Sequence, residues 1–569
     1  MNRSSLSRDE LIDESSYGGT GGENALGSLK EDMYTNQEIQ STLLAIFKPR
    51  ISDDFSLDVK LGNDINMRSS RRQTVHGVDF IVPGVYNIMN TNIRRFLDDS
   101  RSNRRLVGLF ADATLGFRNY AFINVSARQD QTSTLPYANA RYFYPGMSGS
   151  LVYTDAFNIK SNILSYGKIR AGWAKVGNDA QPQRGQDIFV LNSNGFMGLP
   201  RATRGSTTYD PNLTPEFTSE IELGTDFALF KNRIAGEVTW YDKRSTNLIY
   251  AISVPTTTGY SSFYTNIGEI RNTGWEIGLT VKPIVRGDLN WQIRGVFTKN
   301  VNTVERLTEG IDRANIGSMA WIEPGMPYGF LRGDKSARDE NGNLLIDANT
   351  GFVYKDPNQQ MVGDPTPKFR LGVTNALSYK GFSANVLWDM TYGGAMYSES
   401  VNSMLGRGTT KDTEDREWSA VIQGLIANPV PVVGEDGVSR YVPLLVNGQT
   451  VPNQTRITSN DLFFSGGGNT GSFATNGASE YSIYDATVYR LREVSIGYDL
   501  PKRVVARLKM QNINVSLSGR NLWYMAPNMP KYINFDPEIG SLGNGQVQGV
   551  ELSGAPTAKR YGLNLNVTF

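Results

Sequence analysis

The sequence predicts an all-β protein, a transmembrane antiparallel β-barrel with long extracellular loops and short periplasmic turns. Three observations predict it. Segments of roughly ten residues alternate apolar and polar side chains with a period of two. Short and long connections alternate along the chain. No apolar run approaches the roughly 18–20 residues of a spanning helix, and mean hydropathy is −0.35. A barrel strand needs only about 9–11 residues, of which alternate ones are apolar.

Met1–Asp13 has no apolar stretch behind its basic residues, so no secretory leader is read there. Residues 1–40, with the Gly-rich Gly18–Gly27, are read as an extracellular loop or a partial N-terminal segment. Residues 41–569 are read as the C-terminal portion of a barrel. Its first strand covers about Thr42–Pro49. Phe55, Leu57, Val59 and Leu61 then alternate with Ser56, Asp58, Lys60 and Gly62. The same alternation marks Glu220–Leu229, Trp275–Lys282, Trp291–Thr298 and Phe369–Tyr379. About fifteen such segments are present.

Tight turns are expected at Arg118–Asn119, Lys231–Arg233, Ile284–Gly287 and Lys380–Gly381. Long polar stretches lie between them: Val176–Thr218, Tyr250–Arg271, Asn300–Lys368, Gly393–Thr487 and Trp523–Lys559. Loops of that length in a compact fold are usually functional. The last segment, Arg560–Phe569, is the clearest. Tyr561, Leu563, Leu565, Val567 and Phe569 share one face; Gly562, Asn564, Asn566 and Thr568 share the other. These five residues are assigned to a terminal strand that directs membrane assembly. It follows a long loop, so it runs inward and leaves Phe569 on the periplasmic side. Counted back, an odd number of strands starting outside places the front of the barrel beyond this chain.

Composition removes most catalytic classes. Among 569 residues there is no cysteine and one histidine, His76. Thiol nucleophiles, Cys-based metal sites and multi-histidine clusters are excluded, and a Ser-His-Asp triad is disfavoured. No enzyme activity and no cofactor are assigned. The net charge of +1 argues against a nucleic-acid partner.

Local motifs are read against their plainer alternatives. Asp339–Asn343 lacks the glycine and glutamate spacing of a calcium loop and reads as a turn. Gly466–Ser472 lacks the Lys-Ser/Thr of a phosphate loop. Asp53–Asp54 and Asp98–Asp99 are placed in solvated turns or loops, and His76 in an outer loop. Arg71–Arg72, Arg94–Arg95 and Arg104–Arg105 form a basic cluster. It suits lipopolysaccharide phosphates or a partner surface, or is simply a solvated loop. Trp240, Tyr241, Trp275, Trp291, Trp388, Trp523 and Tyr524 are expected in aromatic girdles. The loop aromatics Tyr328, Phe330, Phe352 and Tyr354 are the ligand candidates.

One ordered set of motifs is specific. It runs DPNLTPE (Asp210–Glu216), ELG (Glu222–Gly224), NRI (Asn232–Ile234), WYDK (Trp240–Lys243) and NIGEIRNTGWE (Asn266–Glu276). GDPTPKFRLG (Gly363–Gly372), RLREVSIGYDLP (Arg490–Pro501), GRNL (Gly519–Leu522) and the terminal YGLNLNVTF follow. From Asp210 to Phe569 this resembles the barrel of SusC/RagA-type TonB-dependent outer-membrane transporters of Bacteroidetes. The resemblance implies a plugged barrel of about 22 strands, of which roughly seven lie outside this chain, together with the N-terminal plug and TonB-contact segment. It implies import of oligosaccharides or oligopeptides, with a SusD-like lipoprotein on the outer loops, the TonB complex acting through the plug region, and outer-membrane lipids and lipopolysaccharide around the wall. A passive porin-like channel and a secreted glycan-binding β-protein are the alternatives.

Overall fold

The computed structural model describes residues 1–13, 15, 26–182, 189–192, 199, 201–464, 478–540 and 547–569. The Gly466–Ser472 stretch and most of Gly18–Gly27 lie outside the described residues. Sixteen strands form the main sheet: β1 (Asn2–Ile12), β2 (Ser28–Phe47), β3 (Phe55–Phe80), β4 (Thr91–Phe117), β5 (Ala121–Thr132), β6 (Arg141–Val152), β7 (Leu164–Asn178), β8 (Glu216–Leu229), β9 (Ile234–Thr246), β10 (Gly268–Arg286), β11 (Leu289–Leu307), β12 (Phe369–Tyr379), β13 (Phe382–Tyr392), β14 (Val488–Asp499), β15 (Asn512–Met525) and β16 (Arg560–Thr568). Neighbours in the sheet are neighbours in sequence throughout. Such a meander needs only hairpins, and antiparallel pairing follows from that. β1 and β16 stand at the two ends of the order. No described helix is long and apolar enough to cross a membrane.

The chain divides into two compact units. The first comprises Met1–Ser150, Gly172–Glu220 and Ser245–Ile267. Its strands are long: β2 has 20 residues, β3 has 26 and β4 has 27. At roughly 3.3 Å per residue, β3 far exceeds what a ~25 Å apolar band requires. From Phe55 to Met67 its alternate residues are mostly apolar; from Arg68 onward both faces are mainly polar. The polar part stays in strand because partners across the ladder satisfy it. Arg68 Nε lies 2.9 Å from Glu38 Oε1, and Arg72 Nη2 lies 3.1 Å from Asp32 Oδ1.

This corrects several expectations. Residues 1–40 hold β1 and much of β2 rather than a loop, and β2 begins well before Thr42. His76 lies in β3; Asp98, Asp99 and the Arg94–Arg95 and Arg104–Arg105 pairs lie in β4. Asp53 and Asp54 do occupy the turn between β2 and β3, where Arg118 Nε donates to Asp54 Oδ1 at 2.8 Å.

The second unit comprises Leu151–Ala171, Ile221–Arg244 and Gly268–Phe569. Here β10 and β11 have 19 residues each, while β12 and β13 have only 11. One rung of the ladder runs Trp291, Leu377, Ala384, Ile496, Leu517, Leu563 from β11 to β16. The adjacent rung on the opposite face runs Gln292, Ala376, Asn385, Ser495, Ser518, Gly562. Leu563 is 72% exposed and Leu517 64% exposed. Continuous large apolar side chains left uncovered on one face, with amides and hydroxyls on the other, are the pattern of a lipid-facing wall.

The tight turns follow their chemistry. Arg118 and Asn119 have φ of 47° and 59°; Lys380 and Gly381 have 47° and 88°. Positive φ at both central positions is the hairpin geometry that matches strand twist. At β10–β11 the strand runs on to Arg286, so the turn falls later than expected.

The long connections build their own structure. Ala395–Ser398 pairs antiparallel with Ile483–Asp485 and parallel with Val550–Glu551. Met396, Val401, Leu405, Tyr484, Met529, Ile533 and Phe535 form a buried cluster against this small sheet. Glu551 is fully buried. Ser398 Oγ donates to it at 2.6 Å and Ser400 Oγ at 2.8 Å.

Candidate functional site

In the second unit the long loops close over the polar face of β9 to β14, and two cavities form there. The larger, about 600 Å³, is lined by residues that include Arg370, Asp389, Arg490 and Glu538. The other, about 480 Å³, is lined by residues that include Asn272, Asn300, Asn302 and Tyr328. Pro367, Arg370 and Gln548 line both. These volumes lie in the range of ligand pockets.

Strand geometry explains the charges of the larger cavity. Arg490 and Arg492 are two apart in β14, and both reach the polar face. The register slips between Leu491 and Glu493, which frees Arg492 from strict opposition. Arg492 Nη1 donates to Glu538 Oε2 at 2.7 Å, and its Nη2 donates to Asp389 Oδ2 at 2.8 Å. Arg490 donates to Asp536, and both side chains are 4% exposed. Thr557 Oγ1 gives Asp536 a further bond at 2.8 Å. Two wall arginines thus hold the loop at Asp536 and Glu538 against the sheet. The Arg492 hydrogen bonds beside Glu538 keep its carboxyl below the usual glutamate range, against the opposing effect of burial. Arg490 Nε and Asp389 Oδ1 are buried without a hydrogen-bond partner among the described residues.

The smaller cavity is lined mainly by amides and hydroxyls, with Glu276 and Arg370 on one rung of the polar face. Asn300 Nδ2 donates to Asn272 Oδ1 at 3.1 Å, and Asn302 Nδ2 to Thr366 Oγ1 at 3.0 Å. The Tyr241 hydroxyl sits 3.1 Å from Asn300 Oδ1. A side chain at Gly274 would strike that Tyr241 hydroxyl and the Lys299 carbonyl, each at 2.4 Å, so glycine keeps the lining open. The arrangement can bind a neutral, hydrogen-bonding ligand with one anionic group near Arg370. Among the described residues no group of three or more His, Asp or Glu is set to hold a metal ion.

The aromatic ligand candidates separate. Tyr328 lines the smaller cavity, and its backbone N–H donates to Asn302 Oδ1 at 2.6 Å. Phe330 is 2% exposed and packs inside a loop sheet. Tyr354 stacks on Tyr441 at 4.2 Å, and Phe352 is half-buried nearby in sequence. Trp275, Trp388 and Trp523 are exposed, as girdle residues should be. Tyr241 and Tyr524 instead reach polar-face partners, Asn300 and the Asn534 carbonyl. Tyr561, Leu563, Leu565 and Val567 lie in β16 in register with β15, and Phe569 follows them. Sequence reasoning missed Arg370, Asp389, Arg490 and Glu538. The Arg490–Arg492 spacing puts both arginines on the polar face of a strand, but nothing local in the sequence names the loop carboxylates they meet.

Comparison with known proteins follows this geometry. The family model described as "TonB dependent receptor-like, beta-barrel" matches residues 4–522. TonB-dependent receptor P3 of Formosa agariphila is 25% identical over 504 residues, 82% of this chain and 45% of that protein. TonB-dependent receptor SusC of Bacteroides thetaiotaomicron is 23% identical, over 82% of this chain and 44% of its own length. The chain therefore spans about half the length of the curated relatives it matches. The structure of the RagAB peptide transporter aligns with a TM-score of 0.72 at 19% identity, covering 100% of this chain and 58% of that one. The meander, the lipid-facing rungs and the family match together place this chain in the TonB-dependent receptor-like β-barrel family of the outer membrane.

Proposed function

We propose that this chain is the barrel portion of a TonB-dependent importer that takes up oligosaccharides or oligopeptides with a SusD-like surface lipoprotein. The observation that carries the reading is the pair of polar cavities meeting at Arg370 on the lumen face. The names of the relatives, SusC and the RagAB peptide transporter, support it. Binding is by hydrogen bonds and charge, with no covalent step. Tyr328 and Arg370 are the contact residues, and TonB acts through a plug region of the whole protein.

Among the described residues β1 pairs with β2 from Ser28 to Glu38, and no strand pairs with Ile39–Phe47 on that side. The matched relatives are about twice as long as this chain, which leaves room for further wall strands in the whole protein. β16 directs assembly, and removing Phe569 lowers the yield of heat-modifiable barrel on unheated gels.

The test uses cells carrying the whole protein. Uptake of a labelled oligopeptide and a labelled oligosaccharide is measured with and without a protonophore. Arg370→Ala with Tyr328→Ala is expected to reduce uptake of one class by about tenfold, equivalent to ~1.4 kcal/mol of lost binding. Uptake that ignores the protonophore would overturn the importer reading in favour of a passive channel.

A further inference from the structure

The two ends of the second unit's wall differ in charge. Its short periplasmic turns span residues 153–163, 230–233, 287–288, 380–381 and 500–511. Together they hold eight basic and two acidic side chains. At the other end, residues 393–487 hold five basic and ten acidic ones. The excess of cations therefore lies on the periplasmic side, on successive turns along one sheet.

These cations lack the partners that the others have. Along the polar face, Arg271 Nη2 lies 2.6 Å from Asp242 Oδ2, and Arg492 Nη1 lies 2.7 Å from Glu538 Oε2. At the turns, Arg233, Lys380, Lys502, Arg503, Arg507 and Lys509 are exposed and form no ion pair among the described residues. Arg233 donates only to carbonyls, that of Lys282 at 3.2 Å among them.

Their backbone is the second observation. Lys231, Lys380 and Lys509 have φ of 57°, 47° and 55°. Glycine and asparagine occupy this left-handed region at lower cost than a lysine does. In the loops of this unit, the described non-glycine residues at positive φ are Ser318, Asn447 and Ser553, all neutral. Three turn positions thus hold a lysine where the backbone itself favours another residue.

The longest basic turn is fixed to the sheet. The Leu500 N–H donates to the Ile513 carbonyl at 2.9 Å, and the Gln511 N–H to the Thr568 carbonyl at 2.7 Å. Between them runs a short helix, α1 (Lys502–Arg507), with Val505 buried and its basic residues exposed. From the β8–β9 turn to the β14–β15 turn the row covers roughly 30 Å, at ~4.8 Å per strand. A row of separate cations of that length suits a polymer with carboxylates at intervals better than one small anion. The periplasm presents such a polymer, the cell-wall peptidoglycan, whose stem peptides carry more carboxylates than amines. A zwitterionic phospholipid brings an ammonium beside each phosphate and compensates these cations less.

We propose that the periplasmic turns of the second unit are a docking surface for peptidoglycan. Stem-peptide carboxylates bind at α1 and Lys509, and at Lys231, Arg233 and Lys380. The contact holds the barrel to the cell wall, a role separate from import. It rests on the outer-membrane barrel fold and not on the importer reading.

The test uses the whole protein, purified in non-ionic detergent and sedimented with purified sacculi. Binding is expected, and it should weaken as salt is raised. The variant Lys502→Gln, Arg503→Gln, Arg507→Gln, Lys509→Gln should bind about tenfold more weakly. Lys502→Arg with Lys509→Arg should retain binding. Lys380→Gly with Lys509→Gly should lower binding yet raise the melting temperature, because strain leaves with the charge. Sacculi whose carboxylates are capped as amides should release the protein. Equal sedimentation of wild type and the glutamine variant would overturn the proposal, as would undiminished binding to amidated sacculi. Retention on vesicles containing phosphatidylglycerol, without retention on sacculi, would overturn it in favour of the inner leaflet. Heat-modifiable migration on gels shows that each variant is folded.

Discussion

The two units solve one problem differently. Above the apolar band, the first unit continues as strand: β3 and β4 run to 26 and 27 residues and carry their charges as cross-strand pairs. In the second unit β10 and β11 still run to 19 residues, but β12 and β13 stop near the band at 11, and much of the remaining chain forms loops. Those loops carry the cavities around Arg370. A polar stretch stays extended when each charge meets an opposite charge on the next strand. It leaves the sheet where Gly and Pro interrupt it, as in Gly363–Pro367. In the second unit, wall strands and loops line the cavities together, with Arg370, Asp389 and Arg490 on strands and Glu538 and Gln548 on a loop.

Each unit ties an arginine to a buried aspartate, Arg490 to Asp536 and Arg104 to Asp179, and cutting these two ties separates the two designs. Arg490→Ala leaves Asp536 buried without its main cation, and the expected cost is about 3–5 kcal/mol, felt locally. Limited proteolysis should then cleave within residues 526–559 while the barrel still shifts on unheated gels. In the first unit, Arg104 donates twice to Asp179, at 2.8 and 2.6 Å. Thr132 and Thr134 also donate to that carboxylate, at 2.5 and 2.8 Å. With those two bonds retained, Arg104→Ala should cost less, about 1–3 kcal/mol. Hydrogen exchange at β4 and at the end of β7 reads it. A larger effect for Arg104 than for Arg490 would break the comparison.

Acid provides a milder cut. The folded Glu538 carboxyl titrates below its ordinary value of 4.5. Its contribution is therefore fully present above that value and is lost as pH falls through the lower, folded value. Exchange protection around Asp536 and Glu538 should fade in that window and return on neutralisation. Glu538→Gln should remove the pH dependence.

The smallest effect is expected at an exposed loop hairpin. Arg440 holds the Asp436 carboxyl down to about 2, and both groups are about half exposed. Arg440→Gln should leave the melting temperature of the protein unchanged and alter only exchange at Val432–Val433 and Ser439–Arg440.

Legibility in the sequence followed the solvent. Where one face meets lipid, period two is visible, and Tyr561–Phe569, Phe369–Tyr379 and the Phe55 segment were all read as strands. Where both faces meet water, the period disappears. This is why Ser28–Glu38, Arg68–Phe80 and much of Thr91–Arg105 were read as loops, and why His76 and Asp98–Asp99 were misplaced. The turns were legible because positive φ demands particular residues, as at Lys380–Gly381. The cavities were not. Arg370, Arg490 and Glu538 meet only after loops distant in sequence fold over the wall, and no local pattern records that approach.

The small sheet that joins Ala395–Ser398 to Val550–Glu551 has a consequence for inheritance. Glu551, fully buried, accepts hydrogen bonds from Ser398 and Ser400 of another loop. A recombinant that imports residues 393–487 from a relative without its matching 526–559 would strand that carboxylate. The two loops are therefore expected to tolerate exchange only as a pair, single-loop hybrids losing the buried contact.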